Sequence, residues 1–212
     1  MRTRFDRELE TLNLEMIQMG SLIERSIEST VQALIEKDVE LAQEVIGYDK
    51  DIDDMEREIE TRCLRLLLQQ QPVAADLRLI STALKMITDM ERIGDQARDI
   101  AEMLEYVVQY KFESRVHIGD MARASIKMVT DSIDSFVRKD YDAAVAVIAS
   151  DDVVDTLFQK VKDELTAAVA AQPENGEIFL DLLMIAKYFE RIGDHATNIA
   201  EWVCYSLTGQ HV

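Results

Sequence analysis

The segment Met90-Glu91-Arg92-Ile93-Gly94-Asp95-Gln96-Ala97 returns near the far end of the chain as Phe189-Glu190-Arg191-Ile192-Gly193-Asp194-His195-Ala196. The spacing is 190 − 91 = 99 residues, and the flanks continue in kind, Asp99-Ile100-Ala101-Glu102 answering to Asn198-Ile199-Ala200-Glu201. A chain doubled in this way has to fold as two matching units. Its 212 residues suit two small bundles packed together.

The material between the repeats is helical in character. Only 7 Gly and 2 Pro leave little punctuation for hairpins, and Ala, Leu, Ile, Met, Glu, Asp and Arg dominate. The expected fold class is all-α. Breaks read at Glu36-Lys37-Asp38, Gln70-Gln71-Pro72, Tyr110-Lys111-Phe112-Glu113-Ser114, Arg138-Lys139-Asp140 and Gln172-Pro173-Glu174-Asn175-Gly176 divide the chain into six helices, over residues 4–36, 38–70, 73–110, 114–138, 140–171 and 177–207. Lys37-Asp38 corresponds to Lys139-Asp140 and Gln71-Pro72 to Gln172-Pro173, so each half is an antiparallel three-helix bundle. The two units are residues 1–111 and 112–212, related by pseudo-symmetry.

In the third helix Leu79, Ala83, Met86, Met90, Ile93, Ala97, Ile100, Leu104 and Val107 alternate spacings of four and three, the seam of a bundle. The sixth repeats it with Ile178, Leu182, Ile185, Phe189, Ile192, Ala196, Ile199 and Val203. Gly94 and Gly193 fall inside these helices, where glycine costs about 1 kcal/mol against alanine. Close approach of a neighbouring helix backbone is the expected reason, with room for an ion beside the acidic residues as the functional alternative.

Residues four apart share a helix face, so Glu91 and Asp95 stack, Asp99 extends the row, and Glu190, Asp194 and Asn198 repeat it. On a helical wheel they flank the apolar arc. The second helix of each half adds a pair, Asp49 with Asp53 and Asp151 with Asp155. Like charges at this spacing repel, which calls for something positive nearby. Carboxylates suit hard cations such as Mg, Mn or Fe, and a histidine such as His195 is more at home on Fe or Zn. The alternative is a solvated acidic face balanced by Arg92, Arg98, Lys85 and Arg191. Spacing leaves both readings open.

A net charge of −18 repels nucleic acid and anionic headgroups. Cys63 and Cys204 are too few for a disulfide framework, so a reducing cytoplasm is expected. The amino terminus has no apolar run of the secretory kind, and no stretch approaches the roughly 20 apolar residues that span a bilayer. Any membrane association would then come through a partner. No phosphate loop, nucleophile elbow or Glu-x-x-His pair is present. His117 stands alone near the junction and His211 in an expected frayed tail, so no enzyme is expected.

With the doubled Glu-Arg-Ile-Gly-Asp block, the run Gln71-Pro72-Val73-Ala74-Ala75-Asp76-Leu77-Arg78-Leu79-Ile80 and the ending Asn198-Ile199-Ala200-Glu201-Trp202-Val203-Cys204-Tyr205, the chain resembles the PhoU family over nearly its whole length. The resemblance implies two three-helix bundles, commonly assembled as homodimers. It further implies a non-catalytic regulator of phosphate homeostasis that represses the phosphate-starvation response and restrains uptake. Such a protein links the ATPase subunit of the phosphate ABC transporter to a sensor histidine kinase. The family's metal-binding pattern is Glu or Asp followed four residues later by Asp, and some members hold iron or zinc clusters there. The matching positions are Glu91, Asp95, Glu190 and Asp194, with Asp49, Asp53, Asp151 and Asp155 as facing candidates. The rival reading of the acidic pairs is a metal-binding helical bundle, either a metal store or a metal-dependent enzyme.

Overall fold

A computed structural model describes residues 2–70, 72, 74–108 and 117–211. These form six long helices: α1 (Arg2–Glu36), α2 (Val39–Gln70), α3 (Ala74–Val107), α4 (Ile118–Arg138), α5 (Tyr141–Ala171) and α6 (Gly176–Thr208). A single 3-10 turn, Pro173–Asn175, leads into α6, and no strand occurs among the described residues. The all-α expectation holds, with helix ends close to those read from the sequence. The expected break at Tyr110–Ser114, and with it the boundary between residues 111 and 112, lies outside the described residues.

The doubled Lys-Asp breaks have a common physical basis. Lys37 and Lys139 adopt left-handed backbone angles (φ 57° and 53°) that stop α1 and α4. The next N–H then reaches back, from Asp38 to the carbonyl of Ala33 at 3.0 Å and from Asp140 to that of Ser135 at 2.9 Å. The two aspartates cap the following helices, Asp38 accepting from the Leu41 N–H at 3.1 Å and Asp140 from the Ala143 N–H at 3.0 Å. Each cap contributes about 1 kcal/mol. Two residues thus end one helix and start the next in both halves.

Within each half the helices pack in sequence order, α1 on α2 on α3 and α4 on α5 on α6. The halves meet along α3 and α6, with α1 lying against α4 beside them. The result is one continuous core with side chains from all six helices. All of the seam read for α6 is buried, and the α3 seam is buried apart from its end residues Leu79 and Val107, which are partly so. Both helices bury a second stripe as well, Ile80, Ile87 and Ala101 on α3 and Phe179, Ala186 and Ala200 on α6. Each large apolar side chain buried in this way contributes about 1.5–3 kcal/mol.

The first half carries an addition. The stretch of α1 before Met16 precedes anything matched by α4, and Arg62 ties it to α2, donating to Glu15 at 2.5 and 2.6 Å and to Glu8 at 2.8 Å. In the second half the acid of the corresponding pair sits on α5 instead, Glu164 standing where Arg62 does. Glu164 accepts from the His117 N–H at 3.0 Å and lies 2.5 Å from His117 Nδ1, at the start of α4. His117 therefore has a partner, contrary to expectation. His211 likewise is not frayed: its ring stacks on Tyr205 at 4.4 Å and meets Trp202 edge-on.

Candidate functional site

The two glycines mark where the acidic seams form. A Cβ on Gly94 would lie 2.8 Å from Ile52 Cδ1 and 3.2 Å from Ile52 Cγ2 of α2. On Gly193 it would lie 3.4 Å from Val154 Cγ1 of α5. The close neighbour is in both cases a β-branched side chain of the second helix, not the helix backbone expected from sequence. Ile52 and Val154 are buried, and each is flanked on its own helix by an aspartate of the row, Asp53 and Asp155. Seating the apolar side chain against glycine draws the aspartates of α2 and α5 towards the carboxylates of α3 and α6.

In the first half the carboxylates are neutralised from within. Arg98 Nη1 donates to Asp49 at 2.8 Å and lies 3.2 Å from Asp95, and Nη2 lies 3.1 Å from Asp99. Arg92 pairs with Asp95 at 3.0 Å and Glu91 at 3.5 Å, while Arg57 pairs with Asp53 at 3.1 Å. Burial works against the Arg98 charge, but its hydrogen bonds to Asp49 and Asp99 outweigh that and hold the guanidinium protonated. Glu91 is pushed above the usual carboxylate range, first by burial and then by Asp95. Glu56, a neighbour not singled out from sequence, is raised by burial and by Glu60 and Asp53.

The second half repeats the four paired acids, with Asn198 where the first has Asp99, and has fewer cations. Lys187 pairs with Glu190, and Arg191 lies beside Tyr188 instead of joining the row as its counterpart Arg92 does. Asp151 is raised by burial, then by Asp155 and Asp194. Asp194 is raised by burial, then by Glu190, with Asp155 adding to it. Where Arg98 stands in the first half, the second has Thr197, whose buried hydroxyl lies close to Asp151 without a well-formed hydrogen bond. His195 faces away from the row: its Nδ1 lies 2.9 Å from Asp89 of α3, which also accepts from Asn198 at 3.0 Å. Lys85, expected among the balancing cations, lies over the Trp202 ring.

Taken as a fit to a metal, the halves differ. Among the described residues no three Asp, Glu, His or Cys side chains converge as a ready shell. The first half does not fit, because Arg98 bridges the very carboxylates a cation would need. The second has no arginine between its carboxylates, and carboxylates are oxygen donors of the kind hard cations take. The role of Arg98 was half legible in the sequence. Its mismatch with Thr197 could be read from the repeat, whereas its reach to Asp49 on another helix could not.

Two pseudo-symmetric helical trios sharing one core, with stacked acids at matching seams, define a tandem helical-repeat protein. A family model described as the PhoU domain matches residues 16–104 and again 118–203. The phosphate-specific transport system accessory protein PhoU homolog of Clostridium acetobutylicum is 38% identical over 213 residues, spanning 100% of this chain and 97% of its own. PhoU of Escherichia coli, of the same description, is 33% identical over 98% of this chain and 86% of its own. The crystal structure of PhoU from Pseudomonas aeruginosa matches with TM-score 0.94 at 36% identity, over 97% of this chain and 100% of that one. That of the phosphate transport system regulatory protein PhoU from Streptococcus pneumoniae matches at TM-score 0.89 and 27% identity. The chain belongs to the PhoU family.

Proposed function

We propose that this chain is a non-catalytic accessory protein of phosphate-specific transport. It represses the phosphate-starvation response and phosphate uptake by linking the ATPase subunit of the phosphate ABC transporter to a sensor histidine kinase. The carrying observation is the full-length kinship with relatives named as accessory proteins of that transport system. The build of the chain agrees with a role through contact. No described helix is long and apolar enough to cross a membrane, so the chain meets membrane partners from outside the bilayer. Both thiols are buried, and burial with Glu15 nearby pushes Cys63 up to about 12, far from a reactive thiolate. On this reading it works in the cytoplasm, as a homodimer. Affinity purification from phosphate-replete cells should recover both the transporter ATPase and the kinase. Recovery of neither contradicts the proposal.

The second acidic cluster supports an additional reading, a cation held there as a structural or regulatory ion. Asp155 and Asp194 raise the proton affinity of Asp151, and Asp155 adds to that of Asp194, with no arginine among them. The ion is of the Mg, Mn, Fe or Zn class. Elemental analysis after purification without chelator should find it, and Asp151→Asn with Asp194→Asn should remove it. A metal-free protein would refute this reading while leaving the adaptor role intact.

A further inference from the structure

We propose that the outer face of α2 between Arg57 and Leu68 is the docking surface for an acidic amphipathic helix of a partner protein. The inference rests on the adaptor reading and adds where a partner meets the chain. Arg57, Thr61 and Arg65 are four apart, as are Leu64 and Leu68, so all five lie on one side of the helix. The buried Ile59, Cys63 and Leu66 occupy the opposite side. Leu64 is 48% exposed and Leu68 84%, two leucines one turn apart with nothing packed over them.

The repeat shows that the fold does not call for this face. Residues of α2 correspond to those of α5 at an offset of 102 (154 − 52 = 102), and the buried Ile52, Ile59 and Cys63 are matched by the buried Val154, Val161 and Leu165. On the outer side Arg57, Leu64, Arg65 and Leu68 are matched by Gln159, Thr166, Ala167 and Ala170, all exposed. The buried seam recurs in the second half, and the arginines and leucines do not.

Charge names the occupant. On a chain of net charge −18, a shallow cleft of about 340 Å³ between α1 and α2 is lined by Arg57, Arg62 and Arg65 against Glu15 and Glu58, with Thr61 among them. Arg62 is engaged by Glu15 and Glu8. Arg65 has no ion pair among the described residues, and Arg57 is 68% exposed, its pairs with Asp53 and Asp54 being of the surface kind that a partner's carboxylate can replace. A guanidinium takes a carboxylate as a two-pronged fork. A partner helix with carboxylates four apart beside an apolar stripe therefore meets arginines and leucines at its own pitch. An anionic bilayer suits the face poorly, because Asp53, Asp54, Glu58 and Glu60 of the same turns would come within a Debye length of the headgroups.

The surface is tested by measuring affinity of the purified chain for the transporter complex and for the full-length kinase, each in nanodiscs of zwitterionic lipid. R57Q/L64T/R65A/L68A gives α2 the outer face of α5, and R57E/R65E reverses charge alone. Every changed position is exposed, so both variants are expected to fold as wild type does by circular dichroism and thermal melting. Each should bind at least one of the two partners about tenfold or more weakly, and that partner's grip on the wild-type chain should loosen as salt rises. Undiminished binding of both partners by both variants overturns the inference. Wild-type binding to phosphatidylglycerol vesicles that the variants abolish assigns the face to a bilayer and also overturns it. So does a wild-type dimer that the variants split in sedimentation velocity, which assigns the face to a second copy of the chain. If the fourfold variant does not fold, R57E/R65E decides alone. Wild-type chain that binds neither partner sinks the adaptor reading as well.

Discussion

Adding one methyl group at Gly94 and at Gly193 should move stability in opposite directions. In both helices alanine gains about 1 kcal/mol over glycine from reduced backbone entropy. At Gly193 the new methyl meets Val154 Cγ1 at 3.4 Å, Met128 Sδ at 3.6 Å and Asp151 Oδ1 at 3.7 Å, ordinary contacts that leave the gain intact. At Gly94 it meets Ile52 Cδ1 at 2.8 Å and Cγ2 at 3.2 Å. Cγ2 moves only with χ1, which a buried β-branched side chain holds fixed, and Cδ1 is confined by the same close-packed core. Overpacking of this kind costs about 1–3 kcal/mol, so the net effect of G94A is a loss of about 0–2 kcal/mol. Thermal unfolding should show G193A about 2–4 °C above wild type and G94A at or below it. Trimming Ile52 tests the cause. I52V alone costs about 0.5–1.5 kcal/mol, yet in the G94A background it should cost less or become favourable, because it removes the atom at 2.8 Å. Equal stabilisation of both alanine variants would refute the packing argument, as would a G94A penalty that I52V leaves untouched.

The remaining expectations concern charge. Glu24, Glu56, Glu91, Asp151 and Asp194 all sit above their ordinary range in the folded chain, each first through burial. The folded state therefore holds their protons to higher pH than the unfolded one. The associated stability is present below the ordinary carboxylate pKa and lost as pH rises through the folded values. The melting temperature should rise as pH is lowered from 7 towards 5, with a smaller rise in D151N/D194N; a fall over that range contradicts the reading. At fixed pH 7, D151N should leave stability unchanged or raise it by a few tenths of a kcal/mol by relieving repulsion. D49N should lower it by about 1 kcal/mol, because Arg98 loses its 2.8 Å partner; a chemical-denaturation series giving both the same sign would count against the asymmetry. R62A should loosen the start of α1 from α2, seen as amide exchange faster by about tenfold at residues 4–15 with the α3 core unaffected.

The helix count and the core seams of α3 and α6 were legible because local signals decide them: the four-and-three spacing, proline after α2 and α5, and Lys-Asp at the tight turns. What escaped was set by packing between segments distant in the chain. Ile80 and Ile87 lie outside the first seam and show their role only once α6 is laid across α3. The tight neighbour of Gly94 is likewise Ile52, forty-two residues away (94 − 52 = 42), which no local pattern names. At the acidic seams the repeat shows which carboxylates lie four apart on one helix. Which of them is neutralised depends on the reach of Arg98 across to α2, and on Arg191 turning to Tyr188 where Arg92 turns to the row. The repeated Glu-Arg-Ile-Gly-Asp block thus stands on matching backbones with unequal electrostatics in the two halves.

The role in phosphate control is tested most directly by deleting the gene and reading a phosphate-starvation reporter in phosphate-replete medium, with the wild-type chain supplied in trans as control. The account predicts that the reporter turns on in the deletion strain and is silenced again by the supplied chain. A reporter that stays silent without the protein would contradict it.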